Sequence, residues 1–188
     1  RRRGVRHVGR GRLRHDHHPA TRGGIGVGRR RRRLSHGATG IGLKLLELRG
    51  AAFSGEDVAE RWLADLPALH TFTAERIAYR NLLNGVFPPA SGRYRNPCRE
   101  WIGAQIRGDL FGYVNPGRPE AAAAMAYRDA AVSHTKNGIY AEMFVAAMLS
   151  AAAAGAAAEA IVACGLSQIP ANCRLAHGVS QVLGWKSR

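Results

Sequence analysis

From Ile41 onward, apolar residues recur at helical spacing; ahead of that point no period of 2 or of 3.6 is present. Gly42-Leu43-Lys44-Leu45-Leu46-Glu47-Leu48 predicts a short apolar helix stopped by Gly50. Ser54 reads as an N-cap, with Glu56 and Asp57 in the first turn opposing the helix dipole. Val58, Ala59, Trp62, Leu63 and Leu66 form the apolar face of that helix, and Pro67 ends it. Thr73 is expected to cap the next helix, which turns Ile77, Ala78 and Leu82 inward and ends near Gly85. Phe87-Pro88-Pro89-Ala90-Ser91-Gly92 reads as a loop.

Asn96-Pro97 has the form of an N-cap followed by proline at the first helical position. It predicts a helix through Trp101, Ile102, Gln105 and Ile106 to about Arg107. Asn115-Pro116-Gly117 makes a turn, and Pro119-Glu120 opens an alanine-rich helix to about Ser133. A long helical run covers 137–164, and Pro170 begins a last amphipathic helix with Leu175, Val179 and Val182. No period-2 strand is found, so the expected class is all-α, a helical bundle preceded by a disordered basic tract. Residues 143–158 are sixteen positions without a charge. A membrane span takes about 20 predominantly apolar residues, and this stretch is mostly alanine between Glu142 and Glu159. It is expected to be a buried core helix, with no membrane partner.

Charge changes the picture of the first 39 residues. The 188-residue chain carries 28 Lys+Arg against 13 Asp+Glu, a formal +15. Residues 1–40 hold thirteen Arg and one acid, Asp16, which gives +12; the remaining fifteen cations and twelve acids give +3. Residues 1–39 are therefore expected to be a disordered Arg/Gly-rich tract, with a helical domain over 40–188. At 46% hydrophobic the chain has enough apolar residues for a core, which excludes collagen and disorder throughout. Three cysteines without C-x-x-C spacing fit a reducing, cytoplasmic setting, not a disulfide scaffold. The basic tract contains no apolar stretch of signal-peptide length, and the sequence opens on Arg, as a piece of a longer protein would.

Common catalytic patterns are missing: no Walker loop, no G-x-S-x-G elbow, no H-E-x-x-H. His15-Asp16-His17-His18 has ligand types but lies in the Arg/Gly tract, where no scaffold fixes its geometry. The arginines at 29–33 suit phosphate backbones, though no aromatic interleaves them to stack on bases. The more informative stretch runs from Asp129 through Ser133-His134-Thr135-Lys136-Asn137-Gly138-Ile139-Tyr140. A carboxylate and an imidazole five apart sit where one helix ends, and the next helix starts with amide groups that suit an anion such as a diphosphate. The bland alternative is a helix–helix corner, with His134 as a C-cap and Asp129 in a surface ion pair. Upstream, Gly103, Ala104, Gln105 and Gly108 set small residues beside Arg107 and Asp109.

Together these segments resemble the ADP-ribosylglycohydrolase family over about residues 41–185. The matching text is Tyr79-Arg80-Asn81-Leu82, Asn96-Pro97-Cys98-Arg99-Glu100-Trp101-Ile102-Gly103-Ala104-Gln105-Ile106-Arg107, and Gly112-Tyr113-Val114-Asn115-Pro116-Gly117. It continues through Asp129, Ser133-His134-Thr135, Gly138-Ile139-Tyr140-Ala141-Glu142-Met143-Phe144 and Ile169-Pro170-Ala171-Asn172. The resemblance implies an all-α fold around two Mg²⁺ ions and hydrolysis of a glycosidic bond at C1″ of ADP-ribose by metal-activated water. Implied partners are ADP-ribose or an ADP-ribosylated protein or small molecule. By position, Gly103, Ala104 and Gln105 resemble the loop that touches ADP-ribose, and His134 the histidine near its ribose and diphosphate. Asp109 resembles an acidic position near the metals. Asp129 is expected to orient His134, and Gly138 to complete the substrate side.

The family's metal carboxylates come mainly from a Ser/Thr-Asp-Asp motif and an Asp-x-Asp-Thr/Ser motif. The first belongs just ahead of residues 40–46, where this chain has Arg and Gly, and the second past Arg188. The chain is therefore expected to lack metal binding and to be inactive. Arginine codons of the form CGN, read one base later, can spell Asp. One permitted codon choice for 27–38, shifted by one base, spells an Asp-rich run that opens Ser-Asp-Asp-Asp and closes Tyr-His-Thr-Val-Leu. Residues 1–39 accordingly read as an out-of-frame stretch, with a genuine basic tail that binds nucleic acid as the alternative. A pseudoenzyme that binds ADP-ribose without cleaving it is the other alternative.

Overall fold

The structure is a computed structural model and describes residues 38–186. The His15–His18 cluster, the 29–33 arginines and the codon-frame reading lie outside the described residues. Among those described there is no strand, and the all-α expectation holds.

Helix α1 (Ala38–Arg49) is closed by Gly50, whose φ of +62° suits glycine, and a 3₁₀ turn, Gly50–Ala52, follows. α2 (Gly55–Asp65) begins with the expected cap: Ser54 Oγ accepts from the Asp57 amide, and Asp57 accepts from the Ser54 amide. Val58, Ala59 and Trp62 on its apolar face are buried, and the Leu66 that follows the helix is buried too. α3 (Thr73–Leu83) starts one residue earlier than Thr73 as a cap would require. Phe72 holds the cap position without a side-chain bond, because Thr73 is already in the first turn. Ala78 and Leu82 point inward as expected, whereas Ile77 is only half-buried.

The loop at 87–92 contains one helical turn, α4 (Ala90–Arg93). The helix expected over 97–107 is a turn followed by a 3₁₀ segment, Ile102–Arg107. Three residues per turn put Ala104 and Arg107 on one inner face. Ile102 and Ile106 are left exposed. α5 (Gly108–Tyr113) and α6 (Pro119–Ala130) follow, the second with proline in its first turn.

The long run at 137–164 is two helices, α7 (Asn137–Ala153) and α8 (Ala158–Ser167). Gly155, at φ +83°, stops α7: its amide bonds Ala152 O and the next amide, of Ala156, reaches back to Ala151 O. This pair of bonds is a Schellman ending. α9 (Arg174–Lys186) starts four residues past Pro170, after a turn.

α7 lies against α5, α6, α8 and the 3₁₀ segment. A Cβ on Gly112 would stand 2.5 Å from Leu149 Cβ and 2.9 Å from Ala146 O, so α5 approaches α7 at a distance only glycine allows. The main core joins α1, α2, α3, α5, α6 and α7, and includes Phe53 and Phe111 with ring centroids 5.8 Å apart. Trp62 is fully buried within it. Phe144, Ala146, Ala147, Ser150 and Ala151 of the uncharged stretch are buried, as a core helix requires. No described helix is long and apolar enough to cross a membrane.

Candidate functional site

Three buried polar side chains fasten the 86–100 segment to the rest of the fold. Asn81 Nδ2 donates to the carbonyls of Ser91 and Tyr94, both at 2.8 Å. Ser91 Oγ donates to Val132 O at 2.7 Å. Asn96 Nδ2 lies 3.0–3.2 Å from the carbonyls of Gly92, Ser133 and Ala74, while its Oδ1 accepts the Cys98 amide. Asn96 is therefore less a helix cap than a clamp between α3, α4 and the α6–α7 turn. Each buried bond is retained because an unpaired buried amide costs about 1–3 kcal/mol.

Arg107 is driven inward at the end of the 3₁₀ segment. Its guanidinium pairs with Asp129 at the end of α6, with Glu75 of α3 at 3.2 Å, and stands 3.6 Å from Glu142 of α7. It also lies over the Trp62 ring, 5.3 Å from the centroid, and donates to Ser133 Oγ at 3.3 Å. Burial works to lower the pKa of Arg107, but the charges of Asp129, Glu142 and Glu75 outweigh it and push the value up. Glu142 goes the other way. Burial first, then the adjacent Asp129 carboxylate, raise its pKa well above the usual carboxylate range. Both of its oxygens are buried without a hydrogen-bond partner. Burial and the neighbouring carboxylate thus favour the neutral form of Glu142, while Arg107 pairs with Asp129 and Glu75.

The α6–α7 turn joins this cluster through Ser133. Its Oγ accepts from Arg107 and lies 2.7 Å from His134 Nδ1. The Ser133 hydroxyl has two lone pairs and one proton, so beside the Arg107 bond it pairs with Nδ1 in either ring tautomer, while Nε2 is buried without a hydrogen-bond partner. Burial, then the charge of Arg107, push the His134 pKa down to about 3, so the ring is neutral. Lys136, at φ +46°, begins the turn into α7. A Cβ on Gly138 would meet Arg99 O at 2.7 Å and His134 Cδ2 at 2.8 Å, so the first turn of α7 fits only with glycine there.

Two surface clefts, each of about 600 Å³, open beside this turn. Ligand clefts commonly span roughly 300–1,000 Å³. Pro97, Arg99, Trp101, Ile102, Gln105, Ala141 and Leu175 line the first. Lys136, Tyr140, Pro170, Asn172 and Cys173 line the second. Glu100, Asn137 and Arg174 belong to both. Arg174 pairs with Glu100 at 2.6 Å, and Asn137 Nδ2 donates to the same Glu100 oxygen at 2.8 Å. That amide, then Arg174, hold the Glu100 carboxyl below the usual carboxylate range against the opposing effect of burial.

The expected site residues divide between these two places. Gln105 lines the first cleft. Gly103 is packed against Glu75, whose carboxylate leaves no room for an added Cβ, and Ala104 is fully buried beside Ala130, Ala131 and Ile139. His134 and Gly138 touch one another in the interior behind the clefts. Asp129 does not orient His134: its carboxylate pairs with Arg107, and Ser133 takes the histidine nitrogen. The ion pair expected at the surface is buried. Asp109 accepts its neighbour Leu110's amide at 2.7 Å at the start of α5 and lines neither cleft.

Glu75, Glu142 and Ser133 were not singled out by sequence, nor was the Glu100–Asn137–Arg174 group. Glu142 carried a readable signal, since it lies three residues after Ile139 and four before Ala146 on the inner face of α7. Glu75 and Arg174 carried none, because their partners are 32 and 74 residues away.

The three carboxylates that converge come together on a guanidinium, and burial disfavours the charged form of one of them, Glu142. That is a poor donor set for Mg²⁺, which takes ionised oxygens in octahedral array. Among the described residues no group of three or more His, Cys, Asp or Glu could hold a metal ion. Two Mg²⁺ ions therefore do not fit the described side chains.

A family model described as ADP-ribosylglycohydrolase matches residues 38–188. No curated protein and no solved structure matches the chain.

Proposed function

Because the chain belongs to the ADP-ribosylglycohydrolase family, we propose that residues 38–188 supply the ADP-ribosyl-binding side of such a hydrolase, and that these side chains bind the group without cleaving it. The observation that carries this reading is the pair of adjoining clefts, lined by two aromatic rings, Trp101 and Tyr140, and by several cations. Trp101 is 56% exposed and offers a face on which an adenine stacks. Arg99, Lys136 and Arg174 supply positive charge for a diphosphate, with the first turn of α7 behind them. The amide of Gln105 suits ribose hydroxyls.

Metal ions supply activated water when bound in this family, but Glu75 and Asp129 are engaged by Arg107. The side chains bind, orient and exclude water. Incubation of the chain with an ADP-ribosylated peptide and Mg²⁺, followed by mass spectrometry, tests the reading. The modification should remain on the peptide. Release of ADP-ribose in step with added Mg²⁺ would overturn it.

A further inference from the structure

One ion pair separates the two clefts. Glu100 Oε2 receives two donors at once, Arg174 Nη2 at 2.6 Å and Asn137 Nδ2 at 2.8 Å. Two N–H groups converging on one anionic oxygen is also how a phosphate oxygen is held. The Arg174 side chain is 77% exposed, and ion pairs at such exposure contribute little to stability. Asn137 is better anchored, because its Oδ1 accepts the Leu175 amide at 3.1 Å. Its Nδ2 would therefore stay in place if Glu100 moved away.

The charges around the pair favour an anion. Arg99, Lys136 and Arg174 face the joined clefts, and Glu100 is the sole carboxylate among the residues that line them. Three cations against one acid leave an excess of two. Opening the pair would merge two spaces of about 600 Å³ into one, with the donors at its middle. A ligand with bulky groups on either side of a central diphosphate has that shape.

We propose that Glu100 is a resident carboxylate that occupies Arg174 and Asn137 in the empty protein and yields them to the phosphate or diphosphate of a ligand. The identity of that ligand as an ADP-ribosyl group rests on the function proposed above; the displacement itself does not.

Calorimetric titration of the full chain with inorganic pyrophosphate, ADP-ribose and adenosine, in wild type, Glu100→Gln and Arg174→Gln, tests the displacement. Glu100→Gln keeps the shape and an oxygen for Asn137 while removing the competing charge. It should bind pyrophosphate and ADP-ribose about tenfold more tightly than wild type, and Arg174→Gln about tenfold more weakly, the factor expected for one charged contact. Adenosine, which lacks phosphate, should bind all three alike. Equal binding of both anions by wild type and Glu100→Gln overturns the displacement, and if ADP-ribose then still binds, the ADP-ribosyl reading stands without it. If pyrophosphate follows the expected order and ADP-ribose binds none of the three, the displacement stands and the ADP-ribosyl reading falls.

Discussion

Arg107 and Asp129 form an ion pair inside the protein, with side chains 2% and 4% exposed. The pair ties the 3₁₀ segment that carries Gln105 to the end of α6, where the Ser133–His134 turn begins. Removing Asp129 leaves the buried Arg107 charge to Glu75 and Glu142; breaking a buried pair costs about 3–5 kcal/mol, and the remaining partners keep the loss toward the lower end. Asp129→Ala should lose roughly that much in urea unfolding. A loss under about 1 kcal/mol, the range of an exposed pair, would show that the charges are not buried together.

Glu142 gives a pH-dependent contrast. Its pKa in the folded protein is raised above the ordinary 4.5, so its contribution is complete below that value and is lost as pH rises toward the folded pKa. Glu142→Gln removes the ionisation that favours the unfolded chain. The stability of the variant relative to wild type should therefore improve steadily from pH 4 to pH 7. A difference that stays flat over this range would mean that Glu142 titrates normally.

His134 should not titrate near neutrality. Its pKa falls from 6.5 to about 3 on folding, so the stability it contributes is present above 6.5 and declines as pH drops through that window. Ring resonances followed by NMR should stay constant from pH 8 to pH 5. A midpoint near 6.5 would contradict the burial.

Much of the scaffold was legible in the sequence because its signals are local. Ser54 with Asp57, Gly50 after α1, and proline at the start of α6 act within one turn, and each works as its spacing implies. Gly155 was passed over because an alanine-rich run hides a single glycine, although its left-handed φ is what stops α7. The helix expected at 97–107 failed for a nonlocal reason: Arg107 is pulled toward carboxylates on three other helices, and the tighter winding lets it reach them. The site was legible as segments but not as partnerships. Asp129 and His134 were both singled out, yet the residues that bind them, Arg107 and Ser133, decide what each can do.

Two substitutions separate the cleft from the fold. Trp101→Ala removes an exposed ring, so stability should change by less than about 0.5 kcal/mol while ADP-ribose affinity falls by roughly 1–3 kcal/mol, the range for a stacked base. Gly138→Ala adds a Cβ against Arg99 O and His134 and should cost about 1–3 kcal/mol of stability as α7 shifts. Thermal melts and fluorescence titrations of both variants check this. Unchanged affinity in Trp101→Ala would remove the ring from the site.

The described residues should bind an ADP-ribosyl group through their own side chains, with no metal required. One calorimetric titration of ADP-ribose into the chain, run once in EDTA and once in excess Mg²⁺, measures this. Saturable binding with the same Kd in both buffers is the predicted result. Binding that appears only with Mg²⁺, or in neither buffer, would contradict metal-free recognition by these side chains.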